Sequence, residues 1–294
     1  MMPERKPAGG AAFALMVFLC FLWGINQVIA KLAAPDVSLV MQAGLRSLIA
    51  VVCLYAWTLV RSVPLFTRDG TLAAGLLAGA LFSAEFLFMF SGLAHTDASR
   101  MVVFVYLAPC ITTLGLHWLV KGERLSPLQW AGVLLAFIGI VIAFGDGPRY
   151  SNATLMGDAF GVLTAVLWAA TTIVVRSTRL ANISASKVLF YQLGMAALTL
   201  PIASMLMGEP GIIAITPAAI TSLAYQGIIV AFASYLAWFW LLTKYLATRL
   251  SVFTFFTPLF GVAAGIFVLR EPFTVAFLLS VLLVGAGIYL VNRK

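Results

Sequence analysis

Residues 98–109 read ASRMVVFVYLAP, and residues 247–258 read ATRLSVFTFFTP. Laid over one another at an offset of 149, they match at Ala98/Ala247, Arg100/Arg249, Val103/Val252, Phe104/Phe253 and Pro109/Pro258. The likeness continues on both sides. After a one-residue shift, ERLSPLQWAGVLLAFIGI from Glu123 aligns with EPFTVAFLLSVLLVGAGI from Glu271 and brings Gly139 onto Gly287. Upstream, AVLWAATTIVVRS around Trp168 echoes CFLWGINQVIAKL around Trp23. The chain therefore reads as two copies of one unit, and that period bounds the fold before any single element does.

The unit is made for lipid. Of 294 residues, 63% are hydrophobic and 10% charged, and the mean hydropathy is +1.06, outside the range of a soluble domain. Ten apolar runs predict membrane-crossing helices over residues 11–33, 37–60, 70–94, 98–120, 127–145, 157–177, 184–206, 218–243, 249–269 and 273–291. The predicted fold class is an all-α integral membrane protein, with a first five-helix repeat over 1–147 and a second over 148–294. Five is odd, so the second copy enters the membrane from the opposite side, the inverted topology of many secondary transporters.

Charge sets the expected orientation. With the N-terminus in the cytoplasm, thirteen Lys and Arg residues, among them Arg61, Arg68, Lys121, Arg176, Lys187 and Arg249, fall inside against Lys31, Arg100, Arg149 and Arg270 outside. Both termini are expected to be cytoplasmic. The same placement assigns the net charge of +8 to topology and not to nucleic acid. The connections are too short for a soluble catalytic domain, and no Gly-rich phosphate loop ending in Gly-Lys-Ser/Thr occurs. Cys20, Cys53 and Cys110 lie within spans, so no disulfide or metal framework is expected, and no cofactor. The basic start before the first apolar run is read as part of a span and not as a signal peptide, because that span has an internal counterpart.

Taken in order, LWGINQVIAK with Pro35 and Arg46, GDAFGVLTAVLWA with YQL at 191–193, and the paired fourth and fifth spans resemble the drug/metabolite transporter superfamily in its ten-span EamA form. The resemblance covers nearly the whole chain and is nearest to bacterial aromatic amino-acid exporters. It implies an exporter in the bacterial inner membrane, working as a monomer on small molecules such as metabolites, amino acids, nucleotide sugars or drugs.

Candidate residues follow from what is costly in a bilayer. Glu85 sits in LFSAEFLFMF (81–90) and Arg46 in span 2, at the same expected depth of ~14 Å below the outer surface. A charge there costs several kcal/mol unless it faces a cavity or a partner. Glu85 aligns with Ser234 and Arg46 with Gly194, so the second copy lacks both charges. Three readings of Glu85 stand side by side: a structural ion pair with Arg46, a cavity acid receiving a substrate ammonium, and a proton-coupling carboxylate. Trp23 and Trp168 are repeat-related and too deep for an interfacial belt. Phe82, Phe86, Met89 and Phe90 recur at helical spacing in span 3, matched by Tyr235, Trp238 and Phe239 in span 8. With Asn26, Gln27, Tyr106, Thr172 and Ser234 as polar handles, these predict a central aromatic-lined cavity; for any one aromatic the plain alternative is helix packing. Pro109 and Pro258 predict a bend in spans 4 and 9, either a static kink or a hinge. His95 and His117 read as surface histidines, Glu123 and Glu271 as caps that pin the start of the next helix, and Gly75 with Gly79 as a packing contact.

The expected function is a secondary-type transporter or facilitator moving amino acids, aromatic ones included, or related amphipathic metabolites by alternating access. The alternatives are an exporter of cationic drugs with the same fold, a channel, and a polytopic membrane enzyme. The last is disfavoured because no His-Glu-x-x-His, no Gly-x-Ser-x-Gly and no cluster of His or Asp on one face appears. Proton coupling and uniport are both open.

Overall fold

The structure, a computed structural model, describes residues 10–119, 125–145, 151–244 and 252–292. The boundary expected at 147/148, and Glu123, Arg149 and Arg249, lie outside the described residues, as does the side chain of Phe239. The helices are α1 (Gly10–Leu32), α2 (Leu39–Val60), α3 (Leu72–Leu93), α4 (Ala98–Val105), α5 (Ala108–Leu119), α6 (Pro127–Gly145), α7 (Asn152–Ser177), α8 (Ala185–Leu206), α9 (Pro217–Ala224), α10 (Tyr235–Lys244), α11 (Phe256–Leu269) and α12 (Val275–Asn292). Among the described residues, nine stretches are long and apolar enough to cross a bilayer, and a tenth, Phe253–Leu269, is shorter. This is a multi-pass membrane protein of nearly all-helical build. Large apolar side chains such as Leu59, Val141, Leu198, Phe267 and Leu282 stand exposed around the outside, which only a lipid solvent accommodates at this density.

Local chemistry starts and stops the helices. Ser151, Ser184 and Thr216 precede α7, α8 and α9, and their hydroxyls accept from the backbone N–H of Thr154, Lys187 and Ala219. Gly208 and Gly211, both at positive φ, turn the chain after α8. Arg270 closes α11 in the left-handed region (φ 58), a conformation costing a non-glycine residue roughly 1 kcal/mol or more.

The packing follows a two-fold pattern. Equivalent helices of the two copies meet each other, α2 with α8 and α6 with α12, while α3 packs on α7 as its counterpart around residues 225–234 packs on α1. Glycines set the closest of these approaches. A Cβ added at Gly132 would lie 2.8 Å from the Gly287 carbonyl, and one at Gly44 would lie 2.6 Å from the ring of Pro201. Gly75 and Gly79 do serve packing, both against Tyr191 of α8.

Span 4 is interrupted ahead of its proline, and the described part of span 9 opens on a 3-10 turn ahead of its own. Proline lacks an N–H and its ring clashes with the carbonyl four residues back. Span 4 accordingly breaks between Val105 and Ala108, ahead of Pro109, and span 9 passes through a single 3-10 turn, Val252–Phe255, before α11 carries Pro258. In span 4 the bend is thus a break at residues 106 and 107, two to three residues upstream of Pro109, and in span 9 the 3-10 turn lies three to six residues upstream of Pro258. Span 8 holds a feature without a sequence signal: Tyr225–Ser234 winds as a π-helix between α9 and α10.

Candidate functional site

Between the two halves lies a cavity of about 560 Å³. Its walls come from α1, α2 and α3 of one half and α7, α8 and span 8 of the other, with Tyr106 from the break in span 4 and Thr254 from the 3-10 turn ahead of α11. Of the residues expected in it, Trp23, Asn26, Gln27, Glu85, Phe86 and Tyr106 line it from the first half, and Trp168, Thr172, Tyr235 and Trp238 from the second. Pro109 also reaches the wall, whereas Pro258 is buried in packing. The aromatic rings stand edge to face, Trp23 with Trp238 at 6.1 Å and Tyr106 with Trp168 at 5.6 Å between centroids.

Two expected residues are elsewhere. Phe90 is 1% exposed, one turn beyond Phe86 towards the C-terminal end of α3, and fills the core behind the Arg46 guanidinium at 5.9 Å. Ser234 is spent on structure: it accepts from Trp23 Nε1 at 2.8 Å and donates to the Val230 carbonyl at 2.5 Å. It thereby fixes the Trp23 ring on the cavity wall.

The direct pair between Arg46 and Glu85 does not form, because no nitrogen of one comes within 4.0 Å of an oxygen of the other. Both face the same cavity instead. The Arg46 guanidinium lies 4.5 Å from the centroid of the Phe86 ring and beside the Tyr235 hydroxyl, and its Nε has no hydrogen-bond partner. A ring face offers a cation about 0.5 to 2 kcal/mol, against a desolvation cost of several kcal/mol for a buried ion. The deficit means that this side chain is solvated by whatever fills the cavity.

Sequence reasoning missed three features of the wall. Thr171, Gln192 and Arg176 also line the cavity. Thr171 follows Trp168 as Asn26 follows Trp23, so the repeat carried that signal; Gln192 stands in the quoted YQL motif.

The cavity reaches the connection 180–185, at the end of the bundle where α1 begins and α12 ends. The far end is closed by hydrogen bonds between the halves. Gln226 Nε2 donates to Gln42 Oε1 at 2.8 Å, Ser222 donates to the Ile29 carbonyl at 3.2 Å, and the backbone N–H of Ile213 donates to the Asp36 carbonyl at 2.8 Å. Glu271 belongs to this layer and corrects an expectation. It does not start the helix that follows it; it accepts from the backbone N–H of Ala98 and Ser99 at 2.7 and 2.9 Å, capping α4 across the halves, with Lys31 at 3.6 Å. The left-handed turn at Arg270 aims it there. Beside it, Arg100, which sequence reading assigned only to topology, pairs with Asp158 and donates to the Ala143 carbonyl at 2.7 Å. Asp97, in the same cluster, is pushed above the usual carboxylate range by burial first and then by Glu271.

His95 is exposed and His117 half-buried, accepting from the Leu125 backbone N–H at 3.0 Å. Among the described residues no group of three or more His, Cys, Asp and Glu is placed to hold a metal ion.

Comparison with known proteins gives a consistent result. The model of the EamA-like transporter family matches residues 10–145 and again 155–293. An uncharacterized transporter of Archaeoglobus fulgidus is 24% identical, covering 95% of this chain and 96% of its own length. A protein of Escherichia coli named "Probable amino-acid metabolite efflux pump" is 24% identical over 94% of this chain and 93% of its own. A solved crystal structure superposes with a TM-score of 0.67 at 21% identity, covering 96% of this chain and 98% of that one, a likeness of fold.

Proposed function

The chain belongs to the EamA-like transporter family, and from that premise we propose that it is a secondary-type carrier moving amino acids, aromatic ones included, or related small amphipathic metabolites out of the cell. It works in the bacterial inner membrane with both termini in the cytoplasm. The observation that carries this reading is a cavity of about 560 Å³ walled by both halves and closed at one end. Its size lies within the roughly 300–1,000 Å³ of small-molecule sites, and its walls are mainly apolar, with aromatic rings from both halves and polar groups set among them. The efflux-pump names of relatives that match over nearly their full length support the substrate class.

In this reading the present form faces the side of the termini. The layer around Gln42, Gln226 and Glu271 closes the opposite side. Exchange of the two copies' conformations opens that layer and closes the other end, the break ahead of Pro109 and the 3-10 turn ahead of Pro258 letting spans 4 and 9 swing. A cationic-drug exporter is the weaker reading, because Arg46 in the same wall repels a cation that Glu85 and the rings attract.

Counterflow tests it. Purified protein in vesicles preloaded with unlabelled phenylalanine should accumulate labelled phenylalanine transiently and saturably. Linear uptake indifferent to the internal load would contradict a carrier.

A further inference from the structure

Arg46 is 1% exposed and Glu85 6%, and each is left with an unmet demand. Arg46 Nε donates to nothing, and no described residue donates a hydrogen bond to the Glu85 carboxylate. They stand close enough to act on each other electrostatically, yet more than 4.0 Å apart. Two further buried atoms on α1, Asn26 Oδ1 and Gln27 Oε1, are acceptors without donors, and both residues line the same cavity. Of the six buried side-chain atoms without a partner among the described residues, three, Arg46 Nε, Asn26 Oδ1 and Gln27 Oε1, converge on the cavity that the Glu85 carboxylate also faces, and buried polar atoms are satisfied as a rule, so together they describe the complement of a ligand.

That complement has a definite chemistry. It offers one acceptor for the guanidinium, one cation with several N–H donors for the carboxylate and amide oxygens, and an apolar remainder against Trp23, Trp168 and Trp238. An anion alone leaves Glu85 unpaired, and a cation alone leaves Arg46 unpaired. We infer that Arg46 and Glu85 form a two-point clamp, Arg46 taking the carboxylate and Glu85 the ammonium of a net-neutral α-amino acid whose side chain lies among the rings. The clamp is single, because the repeat places Gly194 and Ser234 at the equivalent positions. This inference rests on the transport reading above and assigns residue roles within it.

Phenylalanine, phenethylamine and 3-phenylpropionate share one ring and differ in charge, so they separate the two points. Binding is read by quenching of tryptophan fluorescence in the purified protein, since Trp23, Trp168 and Trp238 line the cavity; transport is read by counterflow. The wild type should bind phenylalanine at least about tenfold more tightly than either analogue. Glu85→Gln should erase that preference over 3-phenylpropionate, and Arg46→Gln that over phenethylamine. Should Arg46→Gln not fold, the nearly isosteric Glu85→Gln carries the test alone. Equal binding of all three, or ratios unmoved in the variants, overturns the clamp. Counterflow of all three at one rate removes the clamp and leaves the carrier, whereas charge-selective binding without counterflow removes the carrier and leaves the clamp.

Discussion

Ser38 and Lys187 stand at the heads of α2 and α8, the paired helices of the two copies, and each is held by a carboxylate from the connection that leaves the other helix. Glu209 accepts from the Ser38 hydroxyl at 2.9 Å and from the backbone N–H of Val40 and Met41 at 3.3 Å, while Asp69 accepts from Lys187 Nζ at 2.7 Å. Each helix thus ends in a group that neutralises the positive start of its partner or its buried lysine. The pair α2/α8 is latched at both ends.

Loss of either latch should lower the melting temperature in detergent. Glu209→Gln removes charge from four hydrogen bonds, that from the Ser204 hydroxyl included, and should cost about 1 to 3 kcal/mol. Lys187, followed by Thr71, holds Asp69 below the usual carboxylate range. A depressed folded-state pKa stabilises above the unfolded pKa and is lost only as pH falls through the folded one. Asp69→Asn should therefore destabilise fully at neutral pH and differ little from wild type in strong acid.

Asp97 has the opposite sign. Its folded-state pKa is raised, so its charge costs stability above that value and costs nothing below the unfolded one. Asp97→Asn should raise the melting temperature at neutral pH and leave it unchanged near the usual carboxylate range. A lowered melting temperature at neutral pH would show that the Asp97 charge helps the Lys31–Glu271 cluster.

Close helix approach makes a third prediction. Gly44→Ala puts a methyl 2.6 Å from the Pro201 ring and should cost about 1 to 3 kcal/mol, read from melting in detergent. Pro201→Ala in the same chain should recover much of it, since the clash is with the ring; no recovery would mean that the backbones themselves limit the approach.

For the helix breaks, Pro109→Ala restores an N–H and removes the ring clash, allowing span 4 to close into one helix. Counterflow should slow by about tenfold, a barrier change of about 1.4 kcal/mol, with substrate affinity little changed. Unchanged turnover would make the break a static packing feature.

The fold was legible because its signals are long. Apolar runs of bilayer length and a repeat of ASRMVVFVYLAP survive any local ambiguity, and the helix pattern followed from them. The cavity wall was partly legible because aromatic spacing on span 3 and the Trp23/Trp168 equivalence point to a shared face. Phe90 and Ser234 escaped this logic: one further turn of α3 carries a ring from the wall at Phe86 into the core, and a serine's hydroxyl can be consumed by a neighbouring indole. Nor could sequence say that Glu271 reaches across to α4, since that depends on a left-handed turn at a non-glycine residue. The π-helix at 225–234 has no compositional mark at all.

The central claim is one compartment, between the two copies, that meets the two sides of the membrane in turn. Thr172 lines it, and the only cysteines are Cys20, Cys53 and Cys110. With those three replaced and Thr172→Cys introduced, a membrane-impermeant thiol reagent applied to either side of oriented vesicles reports which side reaches the wall. The expected result is labelling from both sides, each suppressed by saturating phenylalanine. Labelling from one side only, under every gradient and with no protection by solute, would contradict the account.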